Sequence, residues 1–171
     1  MTPIEQFRQY FSACPLVAVI RGVKPDEADA IGTAIFEAGI RIIEVPLNSP
    51  DPFDSIARLA RSLGDRALIG AGTVVEPGQV AEVEAAGGRL IVSPNTNSEV
   101  IRATVAAGMV SGPGYFTPSE AFTAIAGGAH VLKFFPAEAA TPAVVKAHKA
   151  VLPKHVPLIA VGGIQPDAMA Q

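Results

Sequence analysis

Tryptophan is absent, cysteine occurs once and histidine three times in 171 residues. Cys14 has no second cysteine to bridge, which places the chain in a reducing compartment, the cytoplasm, with Cys14 read as a buried structural thiol. His130, His148 and His155 lack metal-ligand spacing, so no zinc site and no cofactor is expected. Net charge is −3 and no Lys/Arg run occurs, which excludes nucleic acid and an anionic membrane as partners. No apolar stretch is long enough to span a bilayer. The opening Met1-Thr2-Pro3-Ile4-Glu5 has no basic region followed by an apolar one, so no signal peptide is read there.

Apolar residues are plentiful. At 49% hydrophobic and 17% charged, the composition predicts a folded soluble domain rather than disorder. The spacing of Ile4, Phe7, Tyr10 and Phe11 predicts a leading helix over 2–13. A unit then repeats: a short apolar run, a proline or capping residue, a helical stretch, and a glycine that stops it. The runs are Leu16–Ile20, Ile40–Val45, Ala67–Ile69, Leu90–Val92, a weak one at Met109–Val110, Val131–Phe135 and Pro157–Val161. Proline fits the first helical position because its missing N–H is unused there, and glycine accepts the left-handed turn after a helix. Thr117-Pro118-Ser119-Glu120 adds a capping box.

Strands that are apolar without alternation are buried on both faces, so the sheet should be parallel and covered by helices. Units of about 20 to 27 residues fit a (β/α)8 TIM barrel as one domain over 1–171. Only seven strands are found, and the helix opened by Pro166 is unfinished at Gln171. The expectation is a barrel truncated after the seventh strand, with the eighth β/α unit absent and edges unpaired on the first and seventh strands.

In such barrels chemistry gathers at the C-terminal strand ends. Glu44 and Lys133 each interrupt an apolar strand and should point into the barrel mouth. A buried amine that loses its proton can attack a ketone, and a carboxylate beside it can move protons. The competing reading of the pair is a buried salt bridge that fixes the barrel. Arg21 could clamp a substrate carboxylate and Thr73 could donate to the same group, while Phe135 would keep an imine dry. The loop Gly112-Pro113-Gly114 follows the fifth run, and Gly162-Gly163 follows the seventh, where backbone N–H groups commonly take phosphate.

Several stretches together resemble the KDPG/KHG aldolases: Ile43-Glu44-Val45-Pro46-Leu47-Asn48-Ser49-Pro50, Leu68-Ile69-Gly70-Ala71-Gly72-Thr73-Val74, Leu90-Ile91-Val92-Ser93-Pro94-Asn95, Leu132-Lys133-Phe134-Phe135-Pro136-Ala137 and Val161-Gly162-Gly163-Ile164. The resemblance runs through essentially the whole chain, in order. Within the family, Pro46-Leu47-Asn48-Ser49 resembles the branch acting on 2-dehydro-3-deoxy-6-phosphogalactonate, because the gluconate-type enzymes typically carry Thr-Leu-Arg-Thr there. The resemblance implies a class I aldolase, a homotrimer needing no metal, which splits its phosphorylated keto-deoxy sugar acid into pyruvate and D-glyceraldehyde 3-phosphate in galactose and galactonate breakdown. It implies Lys133 as the Schiff-base residue, Glu44 as acid/base, Arg21 and Thr73 around the pyruvyl carboxylate, and Phe135 against the imine. Pro94, Gly162 and Gly163 fall among the substrate-binding positions. It also implies an eighth strand with a Gly-Ser phosphate loop, which this sequence does not contain.

Three other readings stand beside it. One is a gluconate-type (KDPG) aldolase. Another is a phosphate-binding barrel isomerase or synthase with an inert Lys133. The third is an incomplete barrel without activity.

Overall fold

The computed structural model describes residues 1–165, and the helix expected from Pro166 lies outside the described residues. Helix α1 (Pro3–Ala13) leads. Strands and helices then alternate: β1 (Ala18–Val19), α2 (Pro25–Glu37), β2 (Ile42–Pro46), α3 (Pro52–Leu63), β3 (Leu68–Gly72), α4 (Pro77–Ala85), β4 (Leu90–Val92), α5 (Ser98–Ala106), β5 (Val110–Gly112), β6 (Gly114–Tyr115), α6 (Pro118–Ala126), β7 (Leu132–Phe134), α7 (Pro142–Val151) and β8 (Leu158–Ala160). A single 3-10 turn, Ala137–Ala139, separates β7 from α7.

Every pairing is parallel, in the order β1-β2-β3-β4-β5 and β6-β7-β8. The two groups form one wall. Pro113 has no N–H and breaks the ladder between β5 and β6, but its carbonyl still accepts from Lys133 N–H at 2.9 Å. Gly112 pairs with Val92 on one side and Gly114 with Lys133 on the other. The expected Gly112-Pro113-Gly114 loop is therefore strand, and the weak fifth run extends to Tyr115. The third run is also longer than expected, because Gly70-Ala71-Gly72 continues pairing with β2.

Four of the helix starts share one device. Pro3, Pro25, Pro77 and Pro118 each open a helix, and an acid or amide two residues later accepts the N–H of the capping residue. Glu5 accepts from Thr2 N–H at 2.8 Å, Glu27 from Lys24 N–H at 3.0 Å, Gln79 from Glu76 N–H at 3.1 Å and Glu120 from Thr117 N–H at 2.7 Å. These bonds satisfy N–H groups that a helix start cannot satisfy itself. Those to Phe116 and Thr117 hold the Glu120 carboxyl below its ordinary pKa.

Side chains alternate across each strand with period two, and this sorts the apolar residues into layers. Ile43, Val45, Ile69, Ala71 and Ile91 face outward and pack on Ile56, Leu59, Val80, Val83 and Val100 of the helices. Leu132 and Phe134 do the same against Ala121, Ala124 and Leu152. Ile42, Leu68, Leu90, Val110 and Val131 face inward and meet Phe7 of α1, so α1 plugs the N-terminal end of the barrel. Phe11 stacks on Phe7 at 5.3 Å. Cys14, expected to be buried, is only half-buried, because it caps the end of α1 where the chain leaves the plug.

Phe7→Ala removes the ring that fills this end of the barrel. It should destabilise the protein by about 3–5 kcal/mol, read as a lowered denaturant midpoint with an unchanged slope.

Candidate active site

The alternation that builds the plug also builds the site. Glu44 lies two residues beyond Ile42, and Lys133 two residues beyond Val131, so both point inward above the apolar plug. Glu44 is 2% exposed and Lys133 7%. The interior wall beside Glu44 is glycine: a methyl group on Gly72 would run into the Glu44 carboxylate. Without that gap in β3 the carboxylate would have nowhere to lie.

Burial dominates the electrostatics. It pushes the Glu44 carboxyl up to about 7, against the lowering pull of Lys133 and then Arg21. It pushes the Lys133 ammonium down from 10.5, opposed by Glu44 and helped by Arg21. Among the described residues the only ion pair is Arg58–Asp54 at 3.4 Å on the surface. Glu44 and Lys133 thus attract each other without being locked together, and Glu44 Oε2 is buried with no hydrogen-bond partner. A structural salt bridge would have closed that gap; this arrangement leaves a hydrogen-bond acceptor facing the interior.

The Phe135 ring lies 4.9 Å from Lys133 Nζ and covers one side of the amine. Thr73 follows β3 with φ +58°, rare for a β-branched residue, and such outliers gather at functional sites. Pro94 follows β4. Its carbonyl lies so close to Gly114 that a side chain there would strike it. Thr96 Oγ1 donates to Gly114 O at 2.7 Å and fixes that loop. Arg21 is exposed after β1, and its Nη1 donates to Asn48 Oδ1 at 2.5 Å. Gly162 and Gly163 follow β8 with φ +103° and +64°, Gly162 against the Phe135 ring and Gly163 under the Glu138 side chain.

A cavity of about 790 Å³ is lined by Glu44, Lys133, Gly162 and Gly163 and runs down between Leu16–Val19 and Leu158–Val161. Arg21, Thr73, Pro94 and Phe135 are not in its lining. Two features were not legible in advance. Gly72 reads in sequence as a turn glycine, and only the facing register shows that it makes room for Glu44. Asn48 reads as a branch marker, and its bond to Arg21 spans 27 residues of sequence.

Comparison with known proteins shows what the chain is similar to. The family model "KDPG and KHG aldolase" matches residues 8–171. The 2-dehydro-3-deoxy-6-phosphogalactonate aldolase of Escherichia coli (strain K12) is 48% identical over 163 residues, covering 95% of this chain and 80% of that protein. A solved native KDPGal structure is 49% identical with TM-score 0.90, over 91% of this chain and 76% of that one. The KDPG aldolase of Legionella pneumophila, solved with pyruvate captured at low pH as a covalent carbinolamine intermediate, is 34% identical with TM-score 0.84, over 92% of this chain and 76% of that one. A parallel α/β barrel with its ionisable residues at the C-terminal strand ends, matched along nearly its whole length, places this chain in the KDPG and KHG aldolase family.

Proposed function

We propose that this chain is a class I aldolase that cleaves 2-dehydro-3-deoxy-6-phosphogalactonate to pyruvate and D-glyceraldehyde 3-phosphate. The observation that carries the reading is the buried, unlocked Glu44–Lys133 pair inside the barrel. The E. coli relative carries the same activity in its name. Captured pyruvate in the Legionella relative supports a covalent route.

The chemistry follows from the two shifted groups. Lys133 Nζ, with its proton affinity lowered by burial, attacks the substrate C2 ketone and forms a carbinolamine. Loss of water gives the protonated imine. The Glu44 carboxylate takes the C4 hydroxyl proton, through water, and the C3–C4 bond breaks. Its electron pair flows into the iminium, leaving an enamine on Lys133 and releasing the aldehyde. Glu44 then returns a proton to C3, and hydrolysis of the pyruvyl imine frees pyruvate and Lys133. A carboxyl that titrates at about 7 suits both directions of transfer at neutral pH.

Arg21 and Thr73 take the pyruvyl carboxylate, Phe135 shields the imine, Pro94 shapes the wall, and Gly162-Gly163 offer backbone N–H groups to the phosphate. Phosphate at Gly163 requires the exposed Glu138 side chain to swing away, since it lies against that glycine. The assembly is a homotrimer in the cytoplasm, with the exposed rings of Phe116 and Phe122 supplying apolar surface for subunit contact. No described helix is long and apolar enough to cross a membrane. Light scattering should return three times the chain mass, and a single-chain mass would overturn the trimer.

Pyruvate and borohydride should leave a stable adduct on Lys133, found by peptide mapping and absent from Lys133→Ala. Its absence from a folded chain would overturn the Schiff-base reading. Glu44→Gln should lower the cleavage rate by at least about 100-fold. The same substitution has a signed effect on stability. Because the folded carboxyl titrates near 7 and the ordinary one at 4.5, Glu44 costs stability increasingly as pH rises through that window. Glu44→Gln should therefore melt higher than the unsubstituted chain at pH 8, with the difference vanishing by pH 4. An equal difference at both pH values would contradict the buried-carboxylate assignment.

A further inference from the structure

We propose that Asn48 and Ser49 latch the loop after β1 and set the Arg21 guanidinium at the barrel mouth, making Asn48 a positioning residue for recognition of the substrate carboxylate. The inference rests on the carboxylate role of Arg21 given above.

Strand β1 is a weak support for an arginine. It pairs with β2 only at Ala18 and Val19, and its last backbone bond to that strand is Ile20 N–H to Glu44 O at 3.1 Å. Beyond Ile20 the chain turns, with Gly22 at φ +83°. Two side-chain bonds then replace the ladder. Arg21 Nη1 donates to Asn48 Oδ1 at 2.5 Å, and Gly22 N–H donates to Ser49 Oγ at 3.0 Å. Ser49 is buried, so its bond is shielded from water.

The acceptors are themselves anchored. Leu47 N–H donates to Gly72 O at 2.8 Å, and Ser49 N–H to Pro46 O at 2.9 Å. Gly72 is the residue that makes room for Glu44. The turn that holds Arg21 is thus fastened to the strand that seats the carboxylate.

The chemistry of Asn48 fits the task. An exposed arginine left unpartnered samples many rotamers. An amide oxygen holds one N–H of the guanidinium without neutralising its charge, and the remaining donors stay free for a carboxylate. An aspartate would pair off the charge, and a cationic side chain would repel it. The fixed charge also reaches the interior, since Arg21 lowers the proton affinity of both Glu44 and Lys133.

The test uses pyruvate as probe and borohydride trapping on Lys133 of the full chain as readout. Asn48→Ala should raise the half-saturating pyruvate concentration on the order of fivefold, with the thermal melt unchanged. Arg21→Ala should raise it on the order of tenfold or more. The double variant should bind no more weakly than Arg21→Ala alone, because Asn48 acts through Arg21. Asn48→Leu, of similar shape without an acceptor, repeats the measurement if the alanine variant melts early. Unchanged half-saturation in both Asn48 variants, or effects that simply add to a weakened Arg21→Ala, would overturn the latch and leave the carboxylate role of Arg21 standing. Normal pyruvate binding by Arg21→Ala would overturn that role and the latch together. No adduct in the unsubstituted folded chain would overturn the Schiff-base reading and the latch with it.

Discussion

A carboxyl and an amine share the inside of an apolar barrel without touching as an ion pair, and much of the structure is arranged to hold them there. Burying either group alone is unfavourable, and a direct salt bridge would recover part of that cost. Here the cost is left partly unrelieved. Glu44 keeps an unpartnered oxygen, and both groups have proton affinities displaced toward neutrality. A locked pair would hold both charges and have neither a lone pair nor a proton to offer. The separation is set by backbone: β2 and β7 carry the two residues on different sides of the barrel, and Gly72 leaves the space into which Glu44 extends.

The rest of the fold supplies the stability that this arrangement subtracts. Phe7 and the inward residues below Glu44 and Lys133 make a dry floor, and the outward residues pack on the helices. Four of the described helices start at set points because a proline and the acid or amide two residues on meet the free N–H groups locally. Strand ends are placed by where helices begin, and the side chains at those ends inherit the placement. The edges are different. Among the described residues β1 and β8 are each paired on one side only, and the cavity beside Lys133 opens between them.

Much of this was legible in the chain. The repeat of run, proline, helix and glycine marks the parallel barrel, since each part has a local physical cause. Glu44 and Lys133 stood out because each breaks an apolar run, and a charge kept in such a place has a use or a partner. What stayed hidden was whatever depends on register. Gly112-Pro113-Gly114 has the composition of a turn, yet both neighbouring strands pair with it, and tertiary pairing overrides composition there. Gly70 and Gly72 are the inward positions of β3, which only the pairing with β2 shows. The burial expected for Cys14 failed for a simpler reason, because it sits where α1 ends rather than on its packed face.

Arg21 shows why the mouth of a barrel needs more than strand geometry. Residues in the middle of β2 and β7 are fixed by ladders on both sides, so their side chains need little else. Arg21 lies past the end of the two-residue strand β1. Its long side chain would be free to turn into solvent, and with it the positive charge that acts on Glu44 and Lys133. A hydrogen bond to a neutral amide restrains the direction and leaves the charge intact. The buried hydroxyl of Ser49 restrains the backbone one residue on, so the guanidinium and its base are fixed together. The holding turn hangs from Gly72 O, and Gly72 is also the residue that leaves room for the Glu44 carboxylate. The turn under Arg21 and the space for the Glu44 carboxylate are thus joined through the backbone of a single strand.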